Sequence, residues 1–213
     1  MNDIESEGTH MNKGLVFVIS GPSGSGKGTV VEELRKIAPN IGVAVSATTR
    51  APRPGEVNGV TYHYKTREEF EALLAAGEIL EHTEYSGNLY GTLKSEAEKV
   101  TSGGRDLILE IEVDGGGQVK RLLGDDCVLI MLLAPDAAEQ ERRLRDRGTE
   151  TEEKIHMRMH KARTEISAAG DYDYLVLNET GKQEECAAGL LAILKAAHLT
   201  YPRMRHITDH YFD

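Results

Sequence analysis

A chain of 213 residues with a formal net charge of −10 lacks the surplus of positive charge that a long nucleic acid demands over a wide surface. Its length suits one α/β domain that buries a core without staples. No apolar run reaches the roughly 18 residues of a membrane span, and the polar start lacks the apolar centre of a signal peptide, so a cytoplasmic protein with no membrane partner is expected.

Met1 to Asn12 is polar and patternless, and reads as a disordered extension outside the fold. Leu15-Val-Phe-Val-Ile19 reads as a buried strand that runs directly into Gly21-Pro-Ser-Gly-Ser-Gly-Lys27. This spacing between a strand and a helix is a phosphate cradle. Gly21, Gly24 and Gly26 let successive backbone N–H groups face one anion, Lys27 brings an ammonium to the outer phosphates, and the helix adds its positive end. Gly28 stands where Ser or Thr usually offers magnesium a hydroxyl, and the first hydroxyl comes at Thr29. The spacing therefore points to a metal held by nucleotide oxygens and water.

Helical spacing follows at Val30, Val31, Leu34, Ile37 and Ala38, ended by Pro39-Asn40. A short strand from Ile41 to Ala47 runs into Thr48-Thr49-Arg50-Ala-Pro-Arg53, then Pro54-Gly55 and Asn58-Gly59 read as loop and hairpin turns before an extended Val60 to Tyr64. Thr66 and Glu69 make a capping box for a helix over Phe70, Leu73 and Leu74 that stops at Gly77. Ile79 to Tyr85 and Leu89-Tyr90 flank a hairpin turn at Ser86-Gly-Asn88, and a helix near Ser95 to Thr101 follows. Leu107 to Glu112 reads as a strand, followed by a helix ending near Gly124 and the fully apolar strand Cys127 to Ala134; such runs suit central parallel strands covered on both faces. Pro135 to Ala169 reads as two charged helices joined at Gly148, the second opened by a capping box of Thr149 and Glu152. A strand at Tyr174 to Leu177 and a helix carrying Leu190, Leu191 and Leu194 close the domain. Cys127 and Cys186 have neither metal-ligand spacing nor a disulfide framework, and read as inert core residues.

Three constellations remain. Arg50 and Arg53, just after a strand and with Tyr62 and Tyr90 nearby, either grip a phosphate through their guanidinium forks or form a solvated basic loop. Arg143 and Arg147 share a helix face, with Arg158 further on, and either converge on a transferring phosphate or belong to an exposed helix laced with ion pairs. Glu110 and Glu112 alternate on a strand and so share a face, where burying idle carboxylates is costly; a role with a base, a lysine or a hydrated metal is expected. His206 and His210, with Asp209 between them, read as part of a mobile tail over a metal site.

The chain resembles the guanylate kinases from about Lys13 to about Ala197. The resemblance rests on Gly21-Pro-Ser-Gly-Ser-Gly-Lys-Gly28, Ser46-Ala-Thr-Thr-Arg-Ala-Pro-Arg53, Pro54-Gly-Glu-Val-Asn-Gly59, Ser86-Gly-Asn-Leu-Tyr-Gly91, Arg147-Gly-Thr-Glu-Thr-Glu152 and Tyr172-Asp-Tyr174, in the family order. It implies an α/β fold with a P-loop parallel sheet core flanked by helices across 13–199, a GMP-binding arm at about 46–92, a helical lid at about 136–158 and a tail at 200–213. Asp114 and Gly115-Gly-Gly117 depart from the Gln and Gly-Ala pair that the family often carries.

The implied activity is transfer of the γ-phosphate of ATP to GMP, with Mg2+ as cofactor and GMP, with dGMP a further candidate, and ATP as the small-molecule substrates. By resemblance, Gly21, Pro22, Ser23, Gly24, Ser25, Gly26, Lys27, Gly28, Thr29 and Asn178 serve ATP. Arg50, Arg53, Tyr62 and Tyr90 match positions holding the GMP phosphate, while Ser46, Glu81, Thr92 and Glu112 match those around guanine. Lys27, Arg50, Arg143, Arg147 and Arg158 are the implied catalytic residues, and Glu110 is implied behind the water shell of the metal. Guanine presents N1–H and an exocyclic amine side by side, and a carboxylate such as Glu81 accepts from both, whereas adenine offers an acceptor at N1. A kinase for another acceptor would differ at Glu81, Ser46 and Thr92. A silent guanylate-kinase-like module that binds a phosphorylated protein typically loses the glycine loop or its lysine, and both are intact here. Neither oligomeric state nor direct metal ligands are legible from these residues.

Overall fold

The computed structural model describes residues 13–85, 87–146, 148 and 151–212, which divide into two compact units. Of the described residues, one holds 13–16, Ile41–Leu109 and Asp114–Cys127; the other holds Phe17–Asn40, Glu110–Val113 and those from Val128 onward. In chain order the elements are β1 (Val16–Ser20), α1 (Lys27–Ile37), β2 (Gly42–Val43), β3 (Ala47–Thr48), β4 (His63–Tyr64), α2 (Arg67–Ala75), β5 (Ile79–Tyr85), β6 (Asn88–Leu93), α3 (Lys94–Thr101), β7 (Leu107–Glu110), α4 (Val113–Leu123), β8 (Cys127–Leu133), α5 (Ala137–Asp146), α6 (Glu152–Ser167), β9 (Tyr174–Leu177), α7 (Gln183–Ala197) and α8 (Tyr201–Asp209). The expected α/β architecture with a parallel sheet and flanking helices is present. The extension at 1–12 lies outside the described residues.

In the first unit β2 and β7 pair parallel, with Gly42 opposite Leu107. A second sheet, β4-β3-β6-β5, joins β6 antiparallel to both β3 and β5. Its core is Ala47, Phe70, Ile79 and Leu89, with Leu73, Leu74 and Leu93 packed against it. Helix α2 starts as the sequence predicts: Thr66 Oγ1 accepts from the Glu69 N–H at 3.1 Å and the Glu69 carboxylate accepts from the Thr66 N–H at 2.8 Å. Two orphan donors of the first turn are thereby satisfied.

Four expectations are corrected. The strand read from Ile41 to Ala47 is two short strands in different sheets, β2 and β3. Asn58-Gly59 is not a hairpin turn, because β3 and β4 pair parallel, with Ala47 opposite His63; parallel neighbours need a crossover, which 49–62 supplies. Within that crossover the N–H groups of Val60 and Thr61 both close on the Val57 carbonyl, so regular strand is confined to His63–Tyr64. Strand β7 ends at Glu110, so Glu112 does not alternate with it but sits in the joint before α4.

Gly115, Gly116 and Gly117 all lie inside α4. Helix-interior glycine is costly because the unfolded chain gains backbone freedom. At Gly117 an added Cβ would meet only the Arg121 Nη1, at 3.4 Å, which is the movable end of a long side chain. Gly117→Ala is therefore expected to raise stability by about 0.5–1 kcal/mol in urea unfolding. A loss of stability would mean that the backbone at this turn is not helical in solution.

In the second unit the order is β1-β8-β9, with β8 and β9 parallel. Phe17, Val18 and Ile19 of β1 and Ile130, Met131 and Leu132 of β8 are fully buried, as continuous apolar runs require of central strands. Helices α1 and α7 pack together, and α7 also packs on β9. Leu34, Leu190 and Leu194 are buried, each contributing about 1.5–3 kcal/mol of apolar burial. Helices α5 and α6 flank Gly148, whose φ of 63° is left-handed. Thr151 caps α6 through its side chain, accepting from the Lys154 N–H at 3.4 Å. The expected cap, Thr149, lies outside the described residues. The tail read as mobile contains α8, with Pro202 in its first turn and an Arg205–Asp209 ion pair one turn apart. Among the described residues no helix is long and apolar enough to cross a membrane. Cys127 and Cys186 are buried, and burial pushes the Cys186 thiol up to about 11, as an inert core thiol requires.

Candidate active site

The glycine loop lies between β1 and α1. Gly26 is the N-terminal cap of α1 at φ 89°, a left-handed conformation, and a Cβ there would come within 2.4 Å of the Asn178 Nδ2. Gly21 is constrained by space, since its Cβ would stand 2.1 Å from the Leu132 carbonyl oxygen. Helix α1 has no side-chain cap and no acidic residue in its first turn. Its N-terminal end is therefore open to an external anion, with the helix dipole in favour.

The loop is held by side chains from three later segments. Gln140 Nε2 donates to the Ser23 carbonyl at 2.9 Å, Arg158 Nη1 to the Ser23 hydroxyl at 2.9 Å, and Asn178 Nδ2 to the Ser25 carbonyl at 2.8 Å. Arg143 donates to the carbonyls of Ser25 and Asn178 at 3.2 and 2.8 Å, and its Nε pairs with Glu139 at 2.8 Å. Arg143 and Arg158 thus both reach the loop, while Arg147 lies outside the described residues. Asn178 packs beneath the loop backbone. Its Oδ1 and the Ser25 hydroxyl are buried and, among the described residues, have no hydrogen-bond partner; such atoms are expensive unless water or a ligand completes them.

Lys27 donates from Nζ to the Gly21 carbonyl across the loop. Its charge also acts on Glu110, whose pKa desolvation raises and Lys27 lowers in part. A Cβ on Gly28 would be 3.8 Å from the Glu110 Oε1, so this carboxylate borders the start of α1. Thr29 is exposed. Glu112, read as a guanine contact, pairs with Lys161 at 2.7 Å on the surface.

The other predicted residues lie on the β4-β3-β6-β5 sheet and the crossover 49–62. Glu81 and Thr92 are cross-strand partners on β5 and β6, only 5% and 1% exposed, and the Thr92 hydroxyl donates to Glu81 Oε1 at 2.7 Å. Burial pushes the Glu81 pKa up, and the Thr92 bond opposes this. Among the described residues Glu81 has no ion-pair partner. Tyr90 and Thr92 are two apart on β6 and share a face. The Tyr90 and Tyr62 rings meet edge-on at 6.1 Å, and the Arg50 guanidinium stands 5.5 Å from the Tyr62 centroid. The half-buried Ser46 enters through its carbonyl, which accepts from the His63 N–H at 2.8 Å.

Sequence reasoning assigned nothing to Glu56, Tyr64 or Gln140. Glu56 Oε1 accepts from Arg50 Nη2 at 2.8 Å, and its Oε2 accepts from the Arg53 N–H and the Tyr64 hydroxyl, each at 2.7 Å. The Arg50 guanidinium is the largest cause that holds the Glu56 carboxyl down to about 2. The signal was present in Pro54-Gly-Glu-Val-Asn-Gly59, where a lone acid sits within reach of two arginines. Gln140 is 3% exposed in an otherwise charged helix, and only its tertiary contact reveals a role.

The chain matches the family model described as guanylate kinase over residues 13–196. It is 47% identical over 192 residues to a guanylate kinase of Halalkalibacterium halodurans, covering 90% of this chain and 93% of that one. A guanylate kinase of Cereibacter sphaeroides is 43% identical over 198 residues, covering 92% and 93%. Among solved structures, a guanylate kinase from Anaplasma phagocytophilum superposes with a TM-score of 0.69 at 33% identity, covering 90% of each chain. With the glycine loop, its lysine and the Glu81–Thr92 pair all in place, the chain belongs to the guanylate kinase family.

Proposed function

We propose a division of labour for the ATP:GMP phosphotransfer that this guanylate kinase performs. The open N-terminal end of α1 and the loop 21–29 receive the ATP phosphates. Lys27 turns from the Gly21 carbonyl to the transferring phosphoryl group, and Arg158 adds charge from α6. Arg143 holds the loop backbone from beneath, and Asn178 does the same beside it. Arg147 and Thr29 complete the donor side.

Arg50, Arg53, Tyr62 and Tyr90 receive the GMP phosphate, while Ser46, Glu81, Thr92 and Glu112 serve guanine. A GMP phosphate oxygen attacks the γ-phosphorus as the bond to ADP breaks, with no covalent enzyme intermediate. Alignment and charge neutralisation lower the barrier. Glu110, whose carboxylate borders the start of α1 beside Lys27, would hold hydrated Mg2+ through its water, and Gly28 offers no hydroxyl to the ion. When bound, it would neutralise charge on the nucleotide phosphates. A cytoplasmic location and use of dGMP belong to the same reading.

The observation that carries this reading is the buried Glu81 carboxylate, which accepts from Thr92 and, among the described residues, has no cation. Guanine supplies the two further donors that adenine lacks. A coupled assay of ADP release should show turnover with GMP and little with AMP, CMP or UMP. Comparable turnover of AMP would overturn the assignment of Glu81.

A further inference from the structure

We propose that Glu56 is a positioning residue that sets Arg50 and Arg53 in place for the acceptor phosphate before it arrives. The inference rests on the reading that these arginines grip GMP. Its basis is a single carboxylate that ties two points of the crossover, Arg50 and Arg53, to Tyr64 of β4. Oε1 accepts from Arg50 Nη2, while Oε2 accepts from the Arg53 backbone N–H and from the Tyr64 hydroxyl. The Glu56 N–H donates back to the Arg53 carbonyl at 3.0 Å, which closes the turn reciprocally.

The contact with Arg50 does not consume the guanidinium. It uses one N–H on Nη2, and a second, on Nη1, goes to the Ala51 carbonyl at 2.8 Å. Arg carries five N–H donors, so the guanidinium keeps donors for a phosphate. The plane is set by Tyr62 and Tyr64, whose ring centroids lie 5.5 and 5.9 Å from its carbon. A long cationic side chain is thereby immobilised before binding, and less rotamer freedom is lost when the phosphate docks. The carboxylate accepts from three donors and stays ionised far below neutral pH, so it acts as a fixed anchor.

The test is calorimetric binding of GMP and of guanosine, which lacks the phosphate, to the full chain and to Glu56→Gln, Tyr64→Phe and Arg50→Ala. Glu56→Gln should lose about tenfold in GMP affinity while guanosine binds as before. Tyr64→Phe, which leaves the Arg50 contact intact, should lose less. An unchanged GMP affinity in Glu56→Gln would overturn the proposal. A tighter one would do so too, because the carboxylate would then be competing with the phosphate. An equal loss for guanosine would reduce Glu56 to a general support of the loop. Arg50→Ala separates the two levels: if it leaves GMP affinity intact, the phosphate grip itself is wrong, whereas loss there without loss in Glu56→Gln removes only the anchor.

Discussion

Lys27→Ala should bind GMP nearly as well as the parent and form ADP about 10²–10³-fold more slowly, the usual cost of deleting one preorganised donor to developing charge. The lysine starts α1, it lies against the Gly21 carbonyl, and its charge is felt by Glu110. All of these are features of the glycine loop, whereas Glu81, Thr92 and Arg50 lie in the other compact unit. Removing the ammonium takes charge from the transferring group and leaves the Glu81–Thr92 pair, which reads the base, unaltered. Single-turnover measurement at saturating ATP, with GMP binding by calorimetry, distinguishes the two effects. An equal loss of GMP affinity would contradict the division of labour.

Glu81→Gln should reduce catalytic efficiency with GMP by about tenfold to a hundredfold, which corresponds to about 1.5–3 kcal/mol for a charge-assisted bond. One carboxylate oxygen already accepts from Thr92 at 2.7 Å. A Gln would present its amide N–H groups to a guanine donor or to the threonine hydroxyl. IMP keeps N1–H but lacks the amine, and should be a measurable yet poorer acceptor for the parent enzyme. Parent enzyme that uses AMP as readily as GMP, or a variant with unaltered GMP kinetics, would show that other residues read the base.

The same carboxylate gives a pH signature. Burial raises its folded pKa above the ordinary value of 4.5, so between 4.5 and that raised value the free folded protein holds a proton that the unfolded chain has released. Within this window the Glu81 contribution to stability diminishes as pH rises. Guanine donors favour the ionised form. GMP binding in the window should therefore release a proton, and affinity should fall as pH is lowered through the raised pKa. Calorimetry in buffers of different ionisation enthalpy reads that proton, and Glu81→Gln should abolish it.

Much of the molecule is legible in local sequence because local rules decide it. The run from Val16 to Ser20 followed by Gly21 to Lys27 can only turn back on itself, since Gly26 adopts a conformation that side chains disfavour. The α2 capping box is likewise written in Thr66 and Glu69, and the apolar runs of β1 and β8 announce buried parallel strands. The chemistry of the acceptor pocket needed the tertiary structure. Sequence alternation treats Ile79 to Tyr85 as a regular strand, but the register shifts between Ile79 and Glu81, so Ile79, Leu80 and Glu81 are all buried in succession. A bulge is set by the pairing of two strands, and neither strand alone encodes it. The parallel pairing of β3 and β4 was invisible for the same reason, because turn residues at Asn58-Gly59 do not say which way the next strand will run. Glu56 and Gln140 were passed over because a carboxylate or an amide acquires a role only from the donors and acceptors that folding brings to it. Sequence thus determined the chemical class, through spacings that close within one turn, while folding decided which polar groups meet, since those bonds join residues that chain order leaves far apart.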